Sequence, residues 1–128
     1  VAVATPDGYK PDGAVLEFTK GYGDKFALET DPFMAASGAD ILITDTWTSM
    51  GEEAEKEERK KIFKDYQINR QLLAAANAGA MVQHCLPAYR GQEITEEVFE
   101  EHADEIFNEA ENRLHVQKAV MVKLMKKD

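Results

Sequence analysis

The sequence predicts an α/β fold, in which a parallel sheet of four strands is flanked by helices within one domain over residues 1–128. Short, nearly continuous apolar runs alternate with stretches of helical pattern, and such runs are typical of parallel strands covered on both faces. Strands that alternate with helices favour a parallel sheet with right-handed crossovers. The strand candidates are Val1–Thr5, Phe26–Glu29, Ile41–Thr44 and Ala80–His84.

Capping residues mark the helices between and after these strands. Asp31 followed by Pro32 predicts a helix start, and Gly38 predicts its end. Thr95 is expected to cap a further helix, because acidic residues follow it in the first turn, where the helix dipole favours them. Three other segments have helical patterns: Gly51–Tyr66, Ile68–Ala78 and Ala110–Lys127.

Composition excludes several classes of function. The net charge of −9 argues against nucleic acid or anionic lipid as a partner, since phosphate groups would be repelled. No apolar run approaches the roughly 20 residues that a membrane helix needs, and no signal peptide is visible. The single cysteine, Cys85, cannot form an internal disulfide and indicates a reducing, cytoplasmic location. The scattered histidines do not predict a metal site.

Ligands of open parallel sheets bind beyond the carboxyl ends of the strands, and Asp45 directly follows the predicted third strand. Ser49 and Gly51 then offer a hydroxyl and an adaptable backbone before an acidic helix. Such a loop could hold an amino acid, with the carboxylate against the ammonium and backbone amides against the carboxyl group. The alternative is that Asp45 and Ser49 only cap the helix and tie the loop, and composition alone favours this alternative.

The fourth predicted strand ends on His84 and Cys85, and Pro87 stops it. Neighbouring side chains on a strand point to opposite faces, so these two residues are not expected to form a nucleophile–base pair. A small buried thiol is the commoner role of a lone cysteine. The other possibility is that the thiol and a backbone carbonyl project into the cleft as polar contacts.

Three segments together resemble the ornithine carbamoyltransferase family. Residues Asp45–Gly51 are similar to its Ser-Met-Gly loop, and His84–Pro87 are similar to its His-Cys-Leu-Pro segment. Glu111–His115, with Lys118–Val120 behind it, resembles the start of its final helix. The order and spacing of these segments match the family over essentially the whole chain.

The resemblance implies transfer of a carbamoyl group from carbamoyl phosphate to the δ-amine of L-ornithine, without a metal or an organic cofactor. Asp45, Ser49 and Met50 would contact ornithine, with Asp45 and Cys85 near its side-chain nitrogen. The backbone at Cys85 and Leu86 would receive the carbamoyl group, and Arg113 would reach its carbonyl oxygen. Catalysis is thus expected to depend on Asp45, Cys85 and Arg113.

The resemblance also implies that the carbamoyl phosphate domain, and the first strand and helix of the ornithine domain, are not in this sequence. In the Rossmann-like order of such domains that strand lies centrally, so Ala2–Ala4 and Leu42–Thr44 are expected to flank a gap. The chain is then a partial domain that is inactive alone, and its parent is expected to be a trimer or a multiple of trimers. The apolar face of the last helix, which includes Val120 and Leu124, is expected to be partly exposed.

Alternative functions stay open at this point. A relative that uses putrescine or an acylated ornithine shares the general plan, although the intact loop at Asp45–Gly51 favours ornithine. A non-catalytic ornithine-binding module, or an interaction domain whose acidic helices bind basic partners, would also fit.

Overall fold

The computed structural model describes residues 1–48 and 55–126, and it has the predicted α/β class. Its strands fall within or coincide with the predicted segments: β1 Ala2–Ala4, β2 Ala27–Glu29, β3 Ile41–Thr44 and β4 Met81–His84. The helices are α1 Gly13–Thr19, α2 Pro32–Ala36, α3 Lys56–Phe63, α4 Arg70–Ala75, α5 Glu96–Glu101 and α6 Ala103–Met125. Two 3-10 segments, Lys20–Lys25 and Lys64–Tyr66, follow α1 and α3.

The strands form two separate parallel pairs, β1 with β2 and β3 with β4. Ala2 is paired with Ala27, and Thr44 is paired with His84. Among the described residues β1 does not pair with β3, and no strand of this chain lies between them. The expected gap is therefore confirmed, and it divides the predicted sheet in two. On β3, Leu42 is buried whereas Ile41 and Ile43 are exposed, so one face of the β3–β4 pair packs on the core and the other is uncovered.

Side-chain caps start the helices where the sequence predicts. The carboxylate of Asp31 accepts the Phe33 N–H, and the Thr95 hydroxyl accepts the Val98 N–H. Asn69 caps α4 in the same way, so this helix begins at Arg70 rather than at Ile68. Gly38 follows α2 with a φ of 69°, a conformation that glycine adopts without steric cost.

The hydrophobic core lies on the β3–β4 side of the molecule. Four of its side chains have no exposed surface: Val82, Ile94, Val98 and Ile106. Ile94 forms an isolated backbone bridge with Ile68, whose N–H donates to the Glu93 carbonyl at 2.9 Å. This bridge fixes residues 90–95 against the start of α4, beneath the end of β4.

Helix α6 begins at Ala103, seven residues before the predicted start, and only Ile106 in it is buried. The rest of its apolar face is open: Val120 is 50% exposed and Leu124 is 81% exposed. The prediction of an exposed face on the last helix is confirmed. In the part of the chain that the structure describes, no helix has both the length and the apolarity needed to cross a membrane.

A side chain of α6 covers the outer edge of β4. The Val82 N–H donates to Glu105 Oε2 at 2.8 Å, and the same oxygen lies 2.9 Å from His102 Nδ1. Burial acts to raise the pKa of Glu105, but the hydrogen bonds from His102 and Val82 outweigh it, so the pKa lies below its ordinary value of 4.5. The ionised carboxylate thus closes an otherwise open strand edge.

Acidification is expected to weaken the fold through Glu105. Because the pKa of Glu105 is lower in the folded chain than in the unfolded chain, its contribution is complete above pH 4.5 and is lost as the pH falls through the lowered folded value. Urea unfolding at several pH values measures this. The free energy of unfolding of Glu105→Gln should fall less than that of the wild type between pH 6 and pH 3, and equal slopes would contradict the assignment.

Candidate ligand site at the ends of β3 and β4

Asp45 and Cys85 lie at one edge of the β3–β4 pair. Thr44 and His84 are partners in the register, so the residue after each strand emerges at the same carboxyl edge. A carboxylate oxygen of Asp45, a ring nitrogen of His84 and the Sγ of Cys85 all lie within 4.8 Å of one another. Asp45 is exposed and Cys85 is half-buried, so a ligand can reach both.

Among the described residues, the Asp45 carboxylate interacts with Thr46 and with Cys85. Its Oδ1 accepts the Thr46 N–H at 2.7 Å. Asp45 therefore also stabilises its own loop, as expected if its role were structural. The carboxylate is also a hydrogen-bond partner of the Cys85 thiol. A carboxylate that remains exposed at a strand end can still accept a hydrogen bond from a cationic ligand.

The pKa of the Cys85 thiol is raised, chiefly by burial and then by its hydrogen bond to Asp45. The charges of Asp45 and Glu109 act in the same direction, and the charge of Arg113 opposes them. The thiol is therefore protonated at neutral pH. It can orient a ligand by hydrogen bonding, but it is a poor nucleophile, since the thiolate is the reactive form.

Alkylation of Cys85 tests this environment directly, because the chain has one cysteine. We expect the rate of reaction with iodoacetamide to increase with pH. The midpoint of this increase should lie at a higher pH than that of an unperturbed thiol. Asp45→Asn should lower the midpoint, because it removes a negative charge that disfavours the thiolate. Asp24→Asn, on an exposed segment, is the matched control. An unchanged midpoint in Asp45→Asn would show that the two side chains are not in contact.

His84 is fully buried and has both ring nitrogens engaged. The Leu86 N–H donates to Nδ1 at 3.0 Å, and Nε2 lies 3.1 Å from Oε1 of Glu93, which is also fully buried. An Nδ1 that accepts a hydrogen bond carries no proton, so the proton of the neutral ring is on Nε2. Neither nitrogen is free to bind a metal ion, although Asp45, His84 and Cys85 are close enough together to surround one.

The same geometry corrects one expectation. Strand alternation predicted that His84 and Cys85 point to opposite faces, yet their polar atoms lie within 4.8 Å. β4 ends at His84, and Leu86 then has a φ of 56°, so the chain leaves the strand path at once. The expectation that the two residues do not form a nucleophile–base pair still holds, because both ring nitrogens of His84 have other partners.

Arg113 reaches the site from α6. Its Nη1 donates to the Cys85 carbonyl oxygen at 2.8 Å, and the side chain is exposed. Three of the predicted residues, Asp45, Cys85 and Arg113, thus come together with the backbone of Leu86. Ser49, Met50 and Gly51 lie outside the described residues. Before them, the Trp47 carbonyl accepts from Arg59 Nη1 at 3.3 Å, and the Trp47 ring stacks on Phe63 at 6.1 Å.

Glu93 is the member of this site that the sequence did not reveal. It lies in a segment rich in glutamate, where each acidic residue resembles a solvated one. Its only sequence signal is its place beside the apolar residue Ile94. Its full burial follows from the bridge between Ile68 and Ile94, which is a contact between segments distant in sequence.

The chain is similar in sequence and in structure to known ornithine carbamoyltransferases. An ornithine carbamoyltransferase of a Nitratiruptor strain is 53% identical over 98% of this chain, which spans 42% of that protein. The crystal structure of the anabolic ornithine carbamoyltransferase from Campylobacter jejuni superposes with a TM-score of 0.91 at 45% identity, covering 97% of this chain and 42% of that one. The ornithine carbamoyltransferase of Gloeobacter violaceus superposes with a TM-score of 0.84 at 48% identity, covering 98% of this chain and 42% of that one.

The chain therefore spans about two fifths of the length of these relatives. The family model that matches describes the Asp/Orn-binding domain of aspartate/ornithine carbamoyltransferases, and it covers residues 1–124. With a match over nearly its whole length, the chain belongs to the aspartate/ornithine carbamoyltransferase family.

Proposed function

We propose that residues 1–128 are a partial ornithine-binding domain of an enzyme that transfers the carbamoyl group of carbamoyl phosphate to the δ-amine of L-ornithine, giving L-citrulline and phosphate. The observation that carries this proposal is the meeting of Asp45, Cys85 and Arg113 at one edge of the β3–β4 pair. The ornithine carbamoyltransferases among its relatives support the choice of ornithine.

The amine site is formed by Asp45 and Cys85. An alkylamine is mostly protonated at neutral pH, and it must lose a proton before its lone pair can attack a carbonyl carbon. The Asp45 carboxylate holds the ammonium and is the nearby proton acceptor. The Cys85 thiol, protonated and hydrogen-bonded to Asp45, orients the nitrogen without forming a covalent bond. Ser49 and Met50 contact the amino-acid end of ornithine.

The carbamoyl site is formed by the backbone at Cys85 and Leu86 together with Arg113. The Leu86 N–H already donates to His84, so carbonyl oxygens are the backbone groups that meet the carbamoyl NH2. The Cys85 oxygen has two lone pairs and can accept a second bond beside that from Arg113. The neutral amine attacks the carbonyl carbon and a C–N bond forms. The bond to the phosphate oxygen then breaks, and the departing phosphate takes the second proton that the attacking nitrogen must lose. Arg113 stabilises the oxyanion of the tetrahedral intermediate.

The rest of the proposal concerns the whole protein. We infer that the remaining three fifths of such a protein supply a carbamoyl phosphate-binding domain and the central strand. We also infer that the whole protein assembles as a trimer or a multiple of trimers and is located in the cytoplasm. The residues of this chain supply the proposed chemistry with carboxylate, thiol, guanidinium and backbone groups, and no step of it calls for a cofactor.

A chimera tests the proposal. The part of the Campylobacter jejuni enzyme that this chain matches is replaced by residues 1–128, so that the remaining segments supply the other domain and the central strand. We expect the chimera to form citrulline from ornithine and carbamoyl phosphate. Asp45→Asn should lower kcat/KM for ornithine about 10- to 100-fold, because a charge-assisted hydrogen bond is lost.

The outcomes separate the alternatives. Asp24→Asn, an exposed carboxylate on another segment, should leave activity unchanged. Faster turnover with putrescine or acetylornithine than with ornithine would overturn the substrate assignment. Calorimetric binding of ornithine by a folded chimera without turnover would instead identify a binding module.

A further inference from the structure

We propose that Glu93 is a positioning residue, whose buried carboxyl group fixes His84 in the Nε2–H tautomer and thereby holds the Cys85–Leu86 backbone in the conformation that receives substrate. The proposal rests on the function proposed above for Cys85 and Leu86. It concerns a residue that does not itself contact the substrate in the proposed site.

The first observation is a chain of hydrogen bonds from Glu93 to the turn. Oε1 of Glu93 lies 3.1 Å from His84 Nε2 and accepts the Tyr89 N–H at 2.6 Å. On the other side of the ring, His84 Nδ1 accepts the Leu86 N–H at 3.0 Å. One carboxyl oxygen therefore holds both the ring before the turn and the backbone after it.

The second observation is the backbone of the turn. Leu86 has a φ of 56°, the one positive φ at a non-glycine residue in the described part of the chain. A residue with a side chain adopts this conformation only at an energetic cost, so it persists only where the surrounding contacts hold it there. The hydrogen bond from Leu86 to His84 is such a determinant, but only when Nδ1 is free of a proton.

The third observation is the burial of Glu93. Its side chain is fully buried, and among the described residues its Oε2 has no hydrogen-bond partner. An unpartnered buried polar atom is destabilising, so an apolar side chain would suit packing better at this position. The Glu93 carbonyl accepts the Ile68 N–H at 2.9 Å, which anchors the residue to the rest of the fold. The contacts of Oε1 with His84 and with the Tyr89 N–H account for a carboxyl group at this buried position.

The tautomer fixes what the turn can present to a ligand. If the proton moved to Nδ1, that nitrogen and the Leu86 N–H would both be donors facing each other, and the turn would have to open. The carbonyl of Cys85, which accepts from Arg113 at 2.8 Å, lies within the same turn. Loss of Glu93 is therefore expected to shift the Cys85 carbonyl, and with it the position of Arg113 at the proposed carbamoyl site.

Nitrogen-15 NMR of the imidazole of His84 tests the tautomer without reference to activity. In the chimera at pH 7, His84 should have a protonated Nε2 and an unprotonated Nδ1. Glu93→Gln should keep this pattern, because the amide oxygen still accepts from Nε2–H. Glu93→Ala should give a mixture of tautomers. A protonated Nδ1 in the wild type, or an unchanged pattern in a folded Glu93→Ala variant, would overturn the proposal.

Kinetics of the same variants test the positioning role. We expect Glu93→Ala to lower kcat for citrulline formation about 10- to 100-fold, while Glu93→Gln stays within a few-fold of the wild type. Glu96→Gln, at an exposed glutamate in the first turn of α5, is the matched control. Equal losses in Glu93→Gln and Glu93→Ala would contradict the role of the acceptor oxygen. If Glu93→Ala does not fold, Glu93→Leu replaces it, because an apolar side chain of similar size fills the buried space without supplying an acceptor. Unaltered kinetics in Glu93→Leu would contradict the positioning role. Should no variant or wild-type chimera form citrulline, the NMR result still decides the tautomer.

Discussion

Replacing Arg113 with alanine in the chimera is expected to lower kcat/KM for citrulline formation about 10²- to 10³-fold, the loss typical of removing one oxyanion-stabilising donor. Arg113 donates to the Cys85 carbonyl at 2.8 Å, so its guanidinium already lies beside the backbone of the proposed carbamoyl site. A fixed planar cation beside a developing negative charge is worth most once substrate and domain closure exclude water. The measurement is steady-state kinetics with ornithine varied at saturating carbamoyl phosphate.

Two further variants make the result specific. Arg113→Lys should recover only part of the lost activity, because an ammonium group cannot reproduce the geometry of the guanidinium fork. Lys123→Ala removes an exposed cation from the same helix and should leave kinetics unchanged. Full activity in Arg113→Ala would remove the residue from the mechanism.

Replacing Ile106 with alanine is expected to lower the free energy of unfolding by about 2–5 kcal/mol, the range for a large-to-small change in a packed core. Ile106 has no exposed surface and is the buried residue of α6. Its loss should therefore loosen the helix that carries Arg113 as well as the core beneath β4. Urea unfolding of the chain, followed by circular dichroism, gives the difference.

Leu124→Ala is the matched control for this change. Leu124 lies on the same helix but is 81% exposed, so its truncation should change stability by no more than about 0.5 kcal/mol. Similar losses in the two variants would mean that α6 is not anchored through Ile106. The contrast also tests the view that most of the apolar face of α6 has no partner within the described chain.

Much of the fold could be predicted because the strands are short apolar runs bounded by turn residues. The core of each strand lies within the predicted segment, and Ile41–Thr44 matches at both ends. Local capping signals also placed the starts of α2 and α5. Two elements were not predicted, α1 and the 3-10 segment after it. A signal for α1 was present, since the Asp12 carboxylate accepts the Ala14 N–H, but the helix has no buried residue and so no clear apolar stripe.

The site was predictable in part for a similar reason. A residue that follows a parallel strand must emerge at the carboxyl edge, and this rule brings Asp45 and Cys85 together. The neighbourhood of His84 was not predictable from strand alternation, since alternation ends where the chain turns at Leu86. The proposed role of Glu93 depends on its contact with His84, nine positions earlier in the sequence. The local sequence pattern does not predict that contact. That contact depends on the pairing of Ile68 with Ile94, and hydrophobic periodicity does not predict pairing between segments so far apart in sequence.

The central claim is that the edge formed by Asp45, Cys85 and Arg113 binds ornithine by its side-chain amine. A crystal structure of the chimera with L-ornithine bound tests this most directly. The account predicts the δ-nitrogen at hydrogen-bond distance, about 3 Å, from the Asp45 carboxylate and beside Cys85 Sγ. Ornithine bound elsewhere, or with its δ-nitrogen away from both side chains, would contradict it.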